Sequence, residues 1–117
     1  MLASKYKLKR SKVFDEVKNK GSLYQKKLFG ISVLERKDDQ PSRFGFVVSK
    51  KVSKQAVQRN RINRAVQETI RFEMTHIKEG FDVIFLLKQE AAGSTTDEIM
   101  RAVKVAIKEV GLTKWEI

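Results

Sequence analysis

Three stretches of the chain carry apolar residues at the 3.6-residue spacing of an amphipathic helix. They predict helices over residues 11–20, 55–74 and 97–110. A glycine follows the first and the last of these stretches, at Gly21 and Gly111, and glycine easily adopts the left-handed conformation that ends many helices. Thr95 or Thr96 is placed to cap the last helix.

Three other stretches predict β-strands, over residues 28–36, 43–49 and 81–87. The last, FDVIFLL, is apolar almost throughout and indicates a central strand that is covered on both faces. The intervening KDDQPS has turn composition, which predicts that the first two strands pair as a hairpin. Gly45 within the second strand indicates a bulge or a close approach by a ligand or a neighbouring segment.

The order of these elements is helix, strands, helix, strand, helix. Such an order is typical of an α+β fold in which helices pack on one sheet. The chain has 117 residues, and no linker, repeat or low-complexity segment interrupts it. We therefore expect a single domain over residues 1–117.

The charge of the chain is large and unevenly distributed. The formal net charge is +11, with +7 in residues 1–27, +6 in residues 50–71 and −2 in residues 72–117. Two basic segments favour a surface that binds a polyanion, either nucleic acid or an anionic membrane. Cysteine is absent, and neither a secretory signal nor an apolar run of the ~20 residues that span a bilayer is present. We expect a cytoplasmic protein.

The densest basic cluster lies on the long predicted helix. Its helical wheel has an apolar half, formed by Ile62, Ala65, Val66, Thr69 and Ile70. The other half carries Asn60, Arg61, Asn63, Arg64, Gln67, Glu68 and Arg71, and Arg59 lies near the apolar edge. Arginine forks match the geometry of phosphate, and Lys50 and Lys51 lie just upstream. A solvated surface is the alternative, but residues 50–64 contain no acid, which favours polyanion binding.

Candidate catalytic residues are scarce. His76 is the only histidine, and no partner for it is indicated. Asp38 and Asp39 lie in a polar turn beside a proline, where solvated carboxylates are common. The chain contains no phosphate-binding loop, dinucleotide fingerprint, zinc-ligand spacing or nucleophile elbow. The sequence therefore predicts a binding protein without a catalytic residue or a metal site of its own.

Residues 43–64, RFGFVVSKKVSKQAVQRNRINR, resemble the central motif of the bacterial ribonuclease P protein subunit. Residues 8–21, LKRSKVFDEVKNKG, are similar to the opening helix of that family, and residues 80–88, GFDVIFLLK, to the strand after its RNR helix. The resemblance covers nearly the whole chain. It implies a small α/β sandwich of the ribosomal protein S5 domain 2-like type, in the order α-β-β-(β)-α-β-α. It also implies a left-handed crossover through the RNR helix, against the usual handedness.

The same resemblance implies a function. The chain would be the non-catalytic protein subunit of a ribonucleoprotein that removes the 5′ leader of precursor tRNA. Its partners would be the catalytic RNA and precursor tRNA, with no DNA and no membrane, and Mg²⁺ would be held mainly by the RNA. The implied RNA-binding residues are Lys50, Lys51, Arg59, Asn60, Arg61 and Arg64. The implied leader cleft is lined by Phe14, Phe46 and Val48. Lys18 and Ser32 depart from the family, in which these cleft positions are often aromatic.

Three other functions stay open on the residues alone. The first is a ribosome-associated or rRNA-binding basic protein of the same fold, without tRNA-processing activity. The second is a DNA-binding regulator that reads the major groove with the long helix. The third is a protein that binds a membrane surface through its basic N-terminal helix.

Overall fold

The structure is a computed structural model that describes residues 2–9 and 11–114. Its helices are α1 (Ser11–Lys20), α2 (Ala56–Glu73) and α3 (Thr96–Glu109). Its strands are β1 (Ser22–Gln25), β2 (Phe29–Glu35), β3 (Arg43–Val47) and β4 (Phe81–Leu87). The three predicted helices and three predicted strands are confirmed. The hydrophobic pattern does not predict β1, because all four of its residues are exposed and none is held in a core.

The strands form one sheet in the order β1-β2-β4-β3. Strand β4 pairs antiparallel with β2 and parallel with β3. The predicted hairpin between residues 28–36 and 43–49 is therefore wrong, because β4 lies between those two strands. The apolar sequence of β4 explains its insertion, since a central position covers both of its faces. Because β3 and β4 are adjacent and parallel, α2 forms the crossover between them.

Alternation along the strands directs side chains to two faces of the sheet. One face carries Phe29, Phe44 and Phe85 and packs with residues of α2 and α3 in the main core. The other face carries Ile84, which packs with Leu8 and with Val17 of α1 in a smaller core. The sheet therefore lies between α1 on one side and α2 with α3 on the other.

An arginine–aspartate cluster fastens the turn between β2 and β3 to the start of β4. Asp82 is 2% exposed and accepts hydrogen bonds from Arg36 Nη1 at 2.8 Å and from Arg43 Nε at 2.9 Å. Arg36 also donates to the carbonyl oxygens of Gln40 and Pro41, at 3.0 and 2.8 Å. The hydrogen bonds to Asp82 raise the pKa of Arg43. The cluster thus ties together three segments that are distant in sequence.

A capping box begins α3. Thr95 Oγ1 accepts from the backbone N–H of Glu98 at 3.1 Å, and Glu98 Oε1 accepts from the backbone N–H of Thr95 at 2.9 Å. These bonds satisfy two donors that a helix start otherwise leaves unpaired. The bond from the Thr95 backbone lowers the pKa of the Glu98 carboxyl.

We expect Thr95→Ala to lower the free energy of unfolding by about 1 kcal/mol, as for other N-cap losses. Because the folded-state pKa of Glu98 is depressed, its contribution is present above the unfolded pKa and is lost as the pH falls through the folded pKa. Urea unfolding across acidic to neutral pH measures both effects. Glu98→Gln should flatten the acid side of that stability profile, and an unchanged profile would contradict this role of Glu98.

Candidate nucleic-acid interface

The segment between β3 and α2 carries exposed lysines. Lys50, Lys51 and Lys54 are all exposed. None of the three has a hydrogen bond or ion pair to another residue in the described ranges. Their charges are therefore available to a ligand. Lys50 and Lys51 were predicted as contacts from the sequence, and the structure places both on the surface.

Two of the predicted arginines are held by the protein itself. Arg59 is half-buried, and its Nη1 donates to the carbonyl oxygen of Ser53 at 2.9 Å. Arg61 Nη2 donates to the carbonyl oxygen of Ser94 at 3.1 Å, and its Nη1 donates to Thr96 Oγ1 at 3.2 Å. Arg59 thus fastens the connector to α2, and Arg61 fastens the start of α3 to α2. Neither guanidinium is simply a free cation.

Asn60 and Arg64 differ from these two arginines. Both side chains are exposed, and neither has a side-chain partner among the residues that the structure describes. Together with Arg61 they line an open groove between α2 and α3. Glu68 is the acid in the lining of this groove, and its carboxylate forms a salt bridge with Arg71 Nη2 at 2.8 Å. Arg64 therefore carries a positive charge that no side chain in the described ranges pairs.

The predicted polar half of α2 is wrong at one position. Gln67 is 6% exposed, and its Nε2 donates to Asn63 Oδ1 at 2.6 Å. The reason is that α2 packs against both the sheet and α3, so more of its circumference is covered than a two-sided wheel allows. Gln67 and Asn63 therefore pair with each other, and Gln67 is not available to a ligand.

The structure does not bring together the three residues of the predicted leader cleft. Phe14 packs at the smaller core beneath α1, on the sheet face that carries Val47 and Leu86. Phe46 and Val48 pack on the main core, and the Phe46 ring stacks on Phe85 with centroids 6.0 Å apart. The predicted grouping of Phe14 with Phe46 and Val48 is therefore wrong, because a one-residue difference along a strand changes the face of the sheet.

The Phe14 ring packs directly against the backbone of Gly45. A Cβ atom added to Gly45 would lie 2.5 Å from Phe14 Cζ, so the ring rests directly on the strand. This confirms the close approach that a glycine inside the strand indicates. Nearby, Ser32 is buried and its hydroxyl donates to the carbonyl oxygen of Val17 at 2.9 Å, which ties α1 to β2. Lys18 is exposed on the same helix.

His76 does not line the groove between α2 and α3. His76 is exposed, and its Nδ1 lies 3.1 Å from Glu73 Oε2. Over residues 2–9 and 11–114, no three His, Asp or Glu side chains come together in a way that could hold a metal ion. In the same ranges, no helix has the length and hydropathy needed to cross a bilayer.

Comparisons with known proteins agree on one family. A family model described as Ribonuclease P matches residues 2–111. The ribonuclease P protein component of Clostridium kluyveri is 35% identical over 112 residues, which cover 93% of this chain and 97% of that protein. The one from Clostridioides difficile is 33% identical over 107 residues, covering 91% and 92%. The solved structure of the Staphylococcus aureus RNase P protein superposes with a TM-score of 0.85 at 29% identity, covering 92% of this chain and 96% of that one.

Proposed function

Because this chain belongs to the ribonuclease P protein family, we propose that it binds the catalytic RNA through the exposed cations of α2 and of the connector before it. We propose that it binds precursor tRNA through the surface beneath α1. Each member of the family is the protein component of a ribonucleoprotein endonuclease that processes tRNA. The RNA component of that enzyme performs the hydrolysis. The chain is therefore a subunit that works with ribonuclease P RNA. The rRNA-binding alternative is not favoured.

The observation that carries the RNA-binding proposal is the contrast between free and engaged cations. Lys50, Lys51 and Arg64 are exposed without a protein partner in the described part of the chain, whereas Arg59 and Arg61 brace neighbouring segments. Unpaired cations in the connector before α2 and on α2 itself can each neutralise a phosphate and release its counterions. We assign direct contact to the free cations, with Asn60 beside them, and we assign to Arg59 and Arg61 the task of holding that surface in shape.

For the 5′ leader we propose a revised cleft. Phe14 on α1 packs on the same small core as Val47 and Leu86 on the sheet face beneath α1. All three are half-buried, so they offer apolar surface to unpaired bases. Lys18 adds a cation at the exposed side of α1. We assign the Mg²⁺ that the resemblance implies to the RNA, since the described residues contain no set of metal ligands. The proposal also includes one domain, which the family match over residues 2–111 supports, and a cytoplasmic location.

The test of the RNA-binding surface is Arg64→Ala. We expect it to weaken binding to the catalytic RNA and to lower the slope of log affinity against log salt by about one unit, since one phosphate contact is lost. The fold should be unaffected, because Arg64 has no protein partner to lose among the described residues. Filter binding or fluorescence anisotropy over a salt series measures the affinity, and a thermal melt checks the fold.

The matched control is Lys108→Ala, which removes the same charge from the exposed last turn of α3. An equal change in slope for both variants would contradict a localised site and would indicate a general charge effect. Arg61→Ala is a poor substitute, because it also cuts the link between α2 and α3. Reconstitution of the protein with a bacterial catalytic RNA at low Mg²⁺ tests the function itself. Absence of stimulated 5′ leader release would favour the rRNA-binding alternative.

A further inference from the structure

One stripe of α2 exposes apolar side chains at both ends of the arginine cluster. Val57 is 80% exposed and Phe72 is 61% exposed. At about 100° per residue, both lie on the same side of the helix as Arg61, Arg64 and Glu68. Phe72 is far more exposed than a core aromatic residue, so burial within this chain does not account for it.

Phe72 belongs to the groove between α2 and α3. The groove has a volume of about 630 Å³ and is open to solvent along one side. Its apolar lining consists of Val57, Ala65, Phe72 and Met100, and its polar lining includes Asn60, Arg61 and Arg64. Along α2 the rise from Arg64 to Phe72 is about 12 Å. The groove therefore combines an apolar part with cations a short distance away.

Two sets of contacts give the groove a defined shape. Arg61 bridges α2 to Ser94 and Thr96, which fixes the start of α3 against α2. At the other end, the Arg71 guanidinium carbon lies 4.6 Å from the centroid of the Phe72 ring, and Arg71 also pairs with Glu68. The hydrogen bond from Arg71 lowers the pKa of Glu68. Arg61 thus links the two helices that form the walls, and Arg71 positions the Phe72 ring within α2.

We propose that this groove receives an unpaired nucleobase of the catalytic RNA, which stacks on Phe72 while Arg64 binds a neighbouring phosphate. A nucleotide offers a planar apolar ring beside an anion, which is the pattern that the groove complements. The +11 charge of the chain favours a polyanion over a peptide as the occupant. The inference deepens the RNA-binding function proposed above and rests on it.

Phe72→Ala tests the inference, with Leu23→Ala as the matched control. Leu23 is 55% exposed on β1 and does not line the groove, so Leu23→Ala is expected to bind RNA like the parent protein. Phe72→Ala should weaken binding to the catalytic RNA about 5- to 150-fold, the range for loss of one base–aromatic contact. The salt slope should stay unchanged, because no cation is removed. Phe72→Trp should restore the affinity, and the fluorescence of its indole should be quenched when RNA binds.

The outcomes separate this inference from the function on which it rests. Suppose that Phe72→Ala binds RNA with parent-like affinity, whereas Arg64→Ala binds more weakly and with a smaller salt slope. The proposed stacking of a nucleobase on Phe72 would then be rejected, and the proposed RNA-binding surface would be retained. Parent-like RNA affinity of both variants would also contradict the proposed RNA-binding surface. Weak binding by Phe72→Ala that Phe72→Trp does not restore would assign the loss to a displaced Arg71, and stacking would be rejected.

Discussion

Asp82→Ala is expected to lower the free energy of unfolding by about 3–5 kcal/mol, as when one partner of a buried ion pair is removed. Asp82 is 2% exposed and accepts hydrogen bonds from both Arg36 and Arg43. The side chain of Arg36 is only 14% exposed, so the substitution leaves its charge largely buried, with the more exposed carboxylate of Asp38 at 3.1 Å as its remaining counterion. Urea or guanidinium unfolding, monitored by circular dichroism, measures the loss.

The same cluster supplies its own controls. Asp39→Ala removes an exposed carboxylate from the neighbouring turn, where Asp39 accepts only from Gln40 Nε2 at 3.2 Å, and it should change stability little. Arg43→Ala should cost less than Asp82→Ala, since Arg43 is 38% exposed and Asp82 would keep Arg36. A loss for Asp82→Ala no larger than that for Asp39→Ala would show that the cluster does not stabilise the fold.

The helices of this protein could be predicted because their signals are local. The apolar spacing, Thr95 at the start of α3 and Gly111 after its end all lie within the segment that they shape, and Gly111 adopts a positive φ of 81°. Strand pairing is different, since β2 and β3 are close in sequence but are separated by β4, which begins at Phe81. The apolar run of β4 predicts a central strand, but it does not say which strands become its neighbours.

In the binding surface, too, features set by local sequence could be predicted, and features that depend on residues distant in sequence could not. The helical wheel puts Arg64 on the polar half of the long helix, and the family resemblance implies Lys50 and Lys51 as surface contacts. The structure exposes all three side chains. That Arg61 is engaged could not be predicted, because its partners Ser94 and Thr96 lie 33 and 35 residues away. The prediction of the leader cleft was wrong because Phe46 and its neighbour Val47 lie on opposite faces of the sheet, and the choice between them decides which face forms the cleft. Gly45 indicates the correct face, because the Phe14 ring of α1 approaches the strand on the side where Gly45 has no Cβ atom.

Gly45→Ala is expected to weaken precursor tRNA binding about fivefold or more, the lower end for loss of a base–aromatic contact. The new methyl group would overlap the Phe14 ring, so the ring must leave its position in the proposed leader cleft. Overpacking of this kind should also lower the free energy of unfolding by about 1–3 kcal/mol. Binding of the reconstituted enzyme to precursor tRNA with and without a 5′ leader measures the first effect, and the loss should be confined to the substrate that has one.

Gly93→Ala is the matched control, because a Cβ atom there meets no other atom within 4 Å. Affinity for the catalytic RNA should be retained in Gly45→Ala, since α2 lies on the opposite face of the sheet from α1. Combining Gly45→Ala with Phe14→Leu should recover stability, because the smaller side chain makes room for the methyl group, but it should not recover leader binding. Recovery of both would mean that Phe14 acts only through packing, whereas recovery of stability alone assigns the ring a direct contact with the leader.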